Sequence, residues 1–403
     1  MLPKALIILL ILVGGFFGLG LLSMKLGIKP PNFPSHSQQG SGPSNCVDKK
    51  DAKLGVAPIS VDNLAFIIPL GKMTDSHVTP TDHQYWTPKN VVFSNDNTSL
   101  PLIYDIFAPA DGIITQLERH TYIPSDNPNV PKIDDWRIII YHSCSLYSIF
   151  IHVDKLTEEI FKASGAPQTA QKGNKSYSVN IPVKEGQIIG KLSAHPFDFS
   201  VHDSQVTLKG LINPSRYEGE FWKIHTVDPF DYFKEGIKDK IIAKTPRSIK
   251  PIGGKIDYDI AGKLVGNWFR KGDDSFKKHE GRFWDGELTL AYDAFDPTQI
   301  IISTGNFNGK AGQFAALENS PDPKDVGVGQ LIKYELVKYT YVDGSGKRWD
   351  QKTYSSNIKL KAEPNVLGVA LFQLTDSKSL KVEFFPGKLA TEAFTSKSQI
   401  YER

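Results

Sequence analysis

Short runs rich in Ile, Val, Tyr and Phe recur along this chain, and Pro, Gly, Asn or Asp separate most of them. From about Val56 to Val206 the runs are AFIIPL (65–70), DGIITQL (111–117), WRIIIYH (136–142), YSIFIHV (147–153), YSVNIPV (177–183) and DFSVHD (198–203). Runs of that length, bounded by turn residues, predict strands. No long helical period interrupts them; only a turn or two is expected around 156–163. A helix is predicted over 228–244, where Phe230, Phe233, Ile237 and Ile241 fall at i, i+3, i+7 and i+11. The stretch 245–254 then reads as a boundary. Beyond it come further strand runs at 286–295, 298–305, 331–342, 366–375 and 378–385, with a DGSG turn at 343–346. The fold expected is mostly β. A first β body over 55–245 precedes a second over 250–403, the latter a closed barrel or a sandwich. A length of 403 residues fits that division.

The N-terminus has a different character. Residues 5–23, ALIILLILVGGFFGLGLLS, carry no charge. Nineteen apolar residues just cross a ~30 Å hydrocarbon core as a helix. A cleaved signal peptide is the competing reading, but its apolar region is usually shorter, ~7–15 residues. Residues 1–25 are therefore expected to be a membrane anchor, or else a signal segment. Both export the rest of the chain. The Pro-, Ser-, Gly- and Gln-rich stretch that follows makes 26–54 a flexible stalk. An extracytoplasmic location permits a disulfide between the two cysteines, Cys46 and Cys144.

Charge excludes one class of partner. With 47 Lys+Arg against 44 Asp+Glu and no basic run, the chain lacks what holds a nucleic acid through its phosphates. No Gly-rich phosphate loop, G-x-S-x-G elbow or CxxC motif occurs. Histidine is unevenly spread: eight of ten lie between His77 and His225, and none follows His279.

Four motifs in the first body carry the chemistry. They are HVTPTDHQYW (77–86), APADGIITQLER (108–119), RIIIYHSCSLYSIFIHVDKL (137–156) and VKEGQIIGKLSAHPFDFSVHD (183–203). Their order over roughly 65–205 resembles the lysostaphin-type zinc metallopeptidases, which cut peptide cross-links in bacterial cell walls. The resemblance implies a duplicated hybrid motif fold and a zinc ion held by a His, an Asp four residues on, and the second His of an H-x-H strand. Carried over, it points to His77, Asp82 and Asp198 as ligands and to His152 as an acid/base. His83 adds an imidazole beside Asp82 and is a substitute ligand or a second catalytic histidine. The chain also departs from the family. His77 and Asp82 are five residues apart, and Pro196 and Asp198 stand where the H-x-H histidines belong. Strand alternation still puts Asp198, Ser200 and His202 on one side. His195 and His202 are expected at the surface or in support, and His120, His142 and His225 in structural roles. In the second body GNWF (266–269) resembles the G-x-W opening of lipocalin-type barrels, in which the Trp plugs one end.

Two functions follow as expectations. One is a membrane-anchored zinc hydrolase acting on cell-wall or surface peptides. The other is a non-catalytic relative serving as a binding or scaffolding module at the cell surface.

Overall fold

The computed structural model describes residues 46, 52–92, 100–122, 133–169, 173–273, 282–389 and 393–403. The apolar run 5–23 and nearly all of the 26–54 stalk lie outside the described residues. Among those described, no helix is long and apolar enough to cross a membrane.

The chain is mostly β. Its first body contains β1 (Leu64–Ile68), β2 (Gln84–Pro88), β3 (Tyr104–Phe107), β4 (Gly112–Tyr122), β5 (Ile133–Tyr141) and β6 (Leu146–Val153). There follow β7 (Lys155–Leu156), β8 (Gly173–Val183), β9 (Ile188–Leu192), β10 (Phe197–Asp203) and β11 (Thr226–Val227). A large antiparallel sheet runs β1-β2-β10-β6-β5-β4-β8, with β11 on β10, and a small one runs β3-β9-β7. Period-two alternation sorts the faces. Trp86, Trp136, Ile138, Phe150, Phe197 and Phe199 all point into one core. Each such buried side chain contributes ~1.5–3 kcal/mol. Their strand neighbours Tyr85, Asp135, Asp198 and Ser200 are left on the opposite face. That polar face is covered by a 3-10 segment, Pro214–His225.

Two helical expectations meet different outcomes. The short turn near 156–163 is α1 (Glu158–Ser164). The helix over 228–244 is broken into α2 (Pro229–Tyr232) and α3 (Glu235–Ile242). Between them Phe233 and Lys234 are extended (ψ 147° and 144°). The cause is tertiary: Phe233 bridges to Leu54, and Lys234 N donates to Leu54 O at 2.9 Å. A strand-like pairing with a distant residue overrides the local helical period.

The second body holds β12 (Gly266–Arg270), β13 (Glu287–Tyr292), β14 (Ile300–Phe307), β15 (Lys310–Ala316), β16 (Leu331–Val342), β17 (Lys359–Leu374), β18 (Ser379–Pro386) and β19 (Gln399–Glu402). These eight form a closed barrel, because β19 returns to pair with β12 through Phe269–Glu402 and Arg270–Tyr401. Closure decides between barrel and sandwich. Trp268 of GNWF is fully buried in the barrel core. Its ring lies 3.6 Å below the Arg403 guanidinium, which donates to Val265 O and Ile260 O.

The two bodies share a hydrophobic cluster. Ala65, Phe66 and Met73 of the first pack with Phe295, Ile301 and Trp349 of the second. Leu70 and Gly254 also bridge in parallel. Gly254 has φ +101°, and a Cβ there would sit 2.2 Å from Leu70 O, so this approach requires glycine.

Candidate functional site

The β1–β2 connection, β10 and β6 bring the motif residues together. His83 stands immediately before β2. Asp198 on β10 pairs with Tyr85 on one side and Ile151 on the other. His152 should point away from Asp198, since Ile151 is the residue opposite. It does not, because β6 bulges there: the β5–β6 register shifts between Trp136 and Ile138, and His152 has φ +69°. A non-glycine in left-handed backbone is strained, and bulges re-aim side chains. The result puts His152 Nε2 3.6 Å from Asp198 Oδ2.

The geometry is a chain of alternating carboxylates and imidazoles. Asp82 Oδ1 meets His83 Nδ1 at 2.9 Å. His83 Nε2 lies 3.5 Å from Asp198 Oδ2. On the far side of Asp198, His152 Nδ1 meets Asp135 Oδ2 at 2.7 Å. The Trp222 indole donates to Asp82 Oδ2 at 2.8 Å. His77 sits edge-on to His83, with ring centroids 5.5 Å apart, and both rings lie edge-on to Tyr85. Four buried atoms at this place have no hydrogen-bond partner: His77 Nδ1, His83 Nε2, Asp135 Oδ1 and Asp198 Oδ1.

Electrostatics splits the histidines. Burial would lower His83 and His152, but their carboxylate neighbours win. Asp198 and Asp82 raise His83, and Asp135 with Asp198 pushes His152 up to about 10. Burial lowers His77 to about 3, helped by the charges of His83 and Lys223. Burial likewise lowers His202 to about 4. Asp82, which burial alone would raise, is held low by its bond from His83 and by the charge of Lys223. At neutral pH His152 therefore favours the imidazolium, a double donor, His83 is shifted toward it by Asp198 and Asp82, and His77 is neutral.

Zinc is tested by the donor set. It takes neutral imidazoles and free carboxylate oxygens at about 2.0–2.2 Å. Both Asp82 oxygens are engaged by His83 and Trp222. Among the described residues, no three His, Cys, Asp or Glu side chains form a set able to hold a metal ion. As they stand these residues do not fit zinc, and no step is routed through it.

The structure thus gathers His77, Asp82, His83, His152 and Asp198, drawn from positions far apart in sequence. It also brings residues that sequence reasoning passed over. Asp135 had one available signal: it is an acidic residue on the strand adjoining that of His152. Trp222 and Lys223, the latter donating to Thr79 Oγ1 at 3.2 Å, lie in an irregular segment with no motif. His202 is fully buried rather than at the surface; it stacks on Tyr147 and meets Ser200 Oγ and Trp222 O. His195 is also buried, beside Asp154 at 2.8 Å. His142 contacts Ser148 Oγ, His120 contacts Glu118, and His225 contacts Val206 O.

The chain matches no protein-family model and no curated protein.

Proposed function

We propose that this chain is an exported protein held at the membrane by residues 5–23. Its first body is a lysostaphin-type, peptidase-like module that binds cell-wall or surface peptides without hydrolysing them. The observation that carries the reading is the set of unpartnered buried atoms at one place. A buried polar atom left unpaired costs ~1–3 kcal/mol, so such groups are normally completed by a ligand or water. His83 Nε2, whose protonated form its carboxylate neighbours favour, offers a donor, and Asp198 Oδ1 offers an acceptor. A peptide group presents the matching carbonyl and N–H. His152, with 29% of its side chain exposed, is more open than His83 or Asp198. The Cys46–Cys144 disulfide supports export, since such bonds persist in oxidising compartments.

The test is calorimetric titration of the full chain in detergent with tri-alanine and with its N-acetylated amide, alongside metal analysis by mass spectrometry. The reading expects saturable binding, intact peptide on recovery, and at least tenfold weaker binding for His83→Ala and Asp198→Ala. Zinc near one per chain, lost in both variants and accompanied by peptide cleavage, would overturn it in favour of a metallopeptidase. Absence of binding to either peptide would overturn it as well.

A further inference from the structure

We infer that the C-terminal barrel braces the His/Asp site from behind: Tyr341 and Gln313 hold the loop carrying His77, Asp82 and His83 in place. This rests on the reading of those residues as the site.

The loop between β1 and β2 has little regular structure of its own. It closes on itself at two places: Thr74 and His77 exchange backbone hydrogen bonds in a tight turn with Asp75 at φ +46°, and at its base Gly71 N donates to Thr81 O and Thr81 N to Lys72 O. Left alone, such a loop would populate many conformations. Between these closures its side chains and backbone reach the barrel. Lys72, although cationic, projects into a cage of barrel aromatics, 4.5 Å from the Tyr341 ring centroid, 5.7 Å from Phe295 and 5.8 Å from Tyr339. Its ammonium donates to the Tyr341 hydroxyl, which donates in turn to Asp293. A cation stripped of water is held by ring faces and by a carboxylate one hydroxyl away. Three residues further on, Gln313 Nε2 donates to Asp75 O at 3.0 Å. Met73, between these two holds, is buried in the shared cluster.

The barrel also grips the segment that caps the site. Tyr217 is buried against Phe269 and accepts from Asn267 Nδ2 at 2.8 Å, and Thr289 supports Asn267. Five residues later the same segment supplies Trp222 to Asp82, then Lys223 to Thr79. The imidazoles are thus fixed from the barrel side along two routes. Tyr341, Gln313 and Tyr217 touch no proposed ligand group and act as positioning residues.

The test uses the full chain with labelled histidine and reads the imidazole nitrogen and Cε1 resonances of His77 and His83. Tyr341→Phe keeps the ring and removes the hydroxyl; Gln313→Ala removes a partly exposed side chain that bonds Asp75 O and, within the barrel, Ser303 Oγ. Tyr334→Phe, which removes a hydroxyl bonded to Pro321 O inside the barrel's own core, is the stability control. The expected result is that Tyr341→Phe and Gln313→Ala together move both resonance sets, while Tyr334→Phe lowers the melting temperature and leaves them in place. Where peptide binding is measured, the double variant should bind at least threefold more weakly. Unchanged His77 and His83 resonances in the double variant would overturn the inference. The resonances decide it whether or not peptide binds, so failure of the peptide reading is separately visible.

Discussion

At the residue scale, Asp198 is the hinge of the site. Two imidazoles aim at one of its oxygens from 3.5 and 3.6 Å, each oriented from behind by another carboxylate. Because burial works against the charged form of His152, its rise to about 10 measures how firmly Asp135 and Asp198 hold its proton. A folded pKa raised above the unfolded value adds stability that is complete below about 6.5 and lost as pH climbs through about 10. Asp198→Asn would leave the His152 imidazolium facing a buried amide in place of a carboxylate. It should cost ~3–5 kcal/mol at pH 6, the range for breaking a buried pair. The cost should shrink as pH rises toward 10 and the imidazoles lose their protons. Urea unfolding of both proteins at pH 6, 8 and 10 checks this, and a gap independent of pH would refute it.

Elements here are set by alternation and interrupted by partners. The alternation of FDFSVHD alone fixes which of its side chains enter the core, and the structure follows it. His152 could not be placed that way, because a one-residue bulge reverses the face of everything after it. The 228–244 helix failed for a related reason: its periodicity is real, but Leu54 pairs with Phe233 in mid-run. Asp228 secures the first piece. It accepts from Phe230 N at 3.0 Å as an N-cap and from Gly253 N at 3.2 Å across the boundary between the bodies. Asp228→Ala should lower stability by ~1–2 kcal/mol, since a cap and a second backbone amide lose their acceptor together. Thermal unfolding followed by circular dichroism measures it, and an unchanged midpoint would contradict the capping role.

For the whole molecule, a covalent link and a shared core matter most. Cys46–Cys144 spans 98 residues and ties Cys46 to the β5–β6 turn. Closing so long a loop restricts the unfolded chain, so Cys144→Ser should cost ~2–4 kcal/mol, read from guanidinium midpoints with and without reductant. Equal midpoints for wild type and variant under oxidising conditions would show that the bond adds nothing.

The sequence by itself determined the β character and put forward His77, Asp82, His83, His152 and Asp198 as the candidates. Strand alternation and turn chemistry are properties of neighbouring residues, so they can be read locally. Tertiary structure alone decided the rest. It closed the second body as a barrel by pairing β12 with β19, strands more than a hundred residues apart and too short to stand out as runs. It gave Asp82 to Trp222, gave His152 to Asp135, and set Lys72 among barrel aromatics. Such partners meet because two sheets and a barrel pack against one another, and no periodicity along the chain encodes where distant surfaces touch.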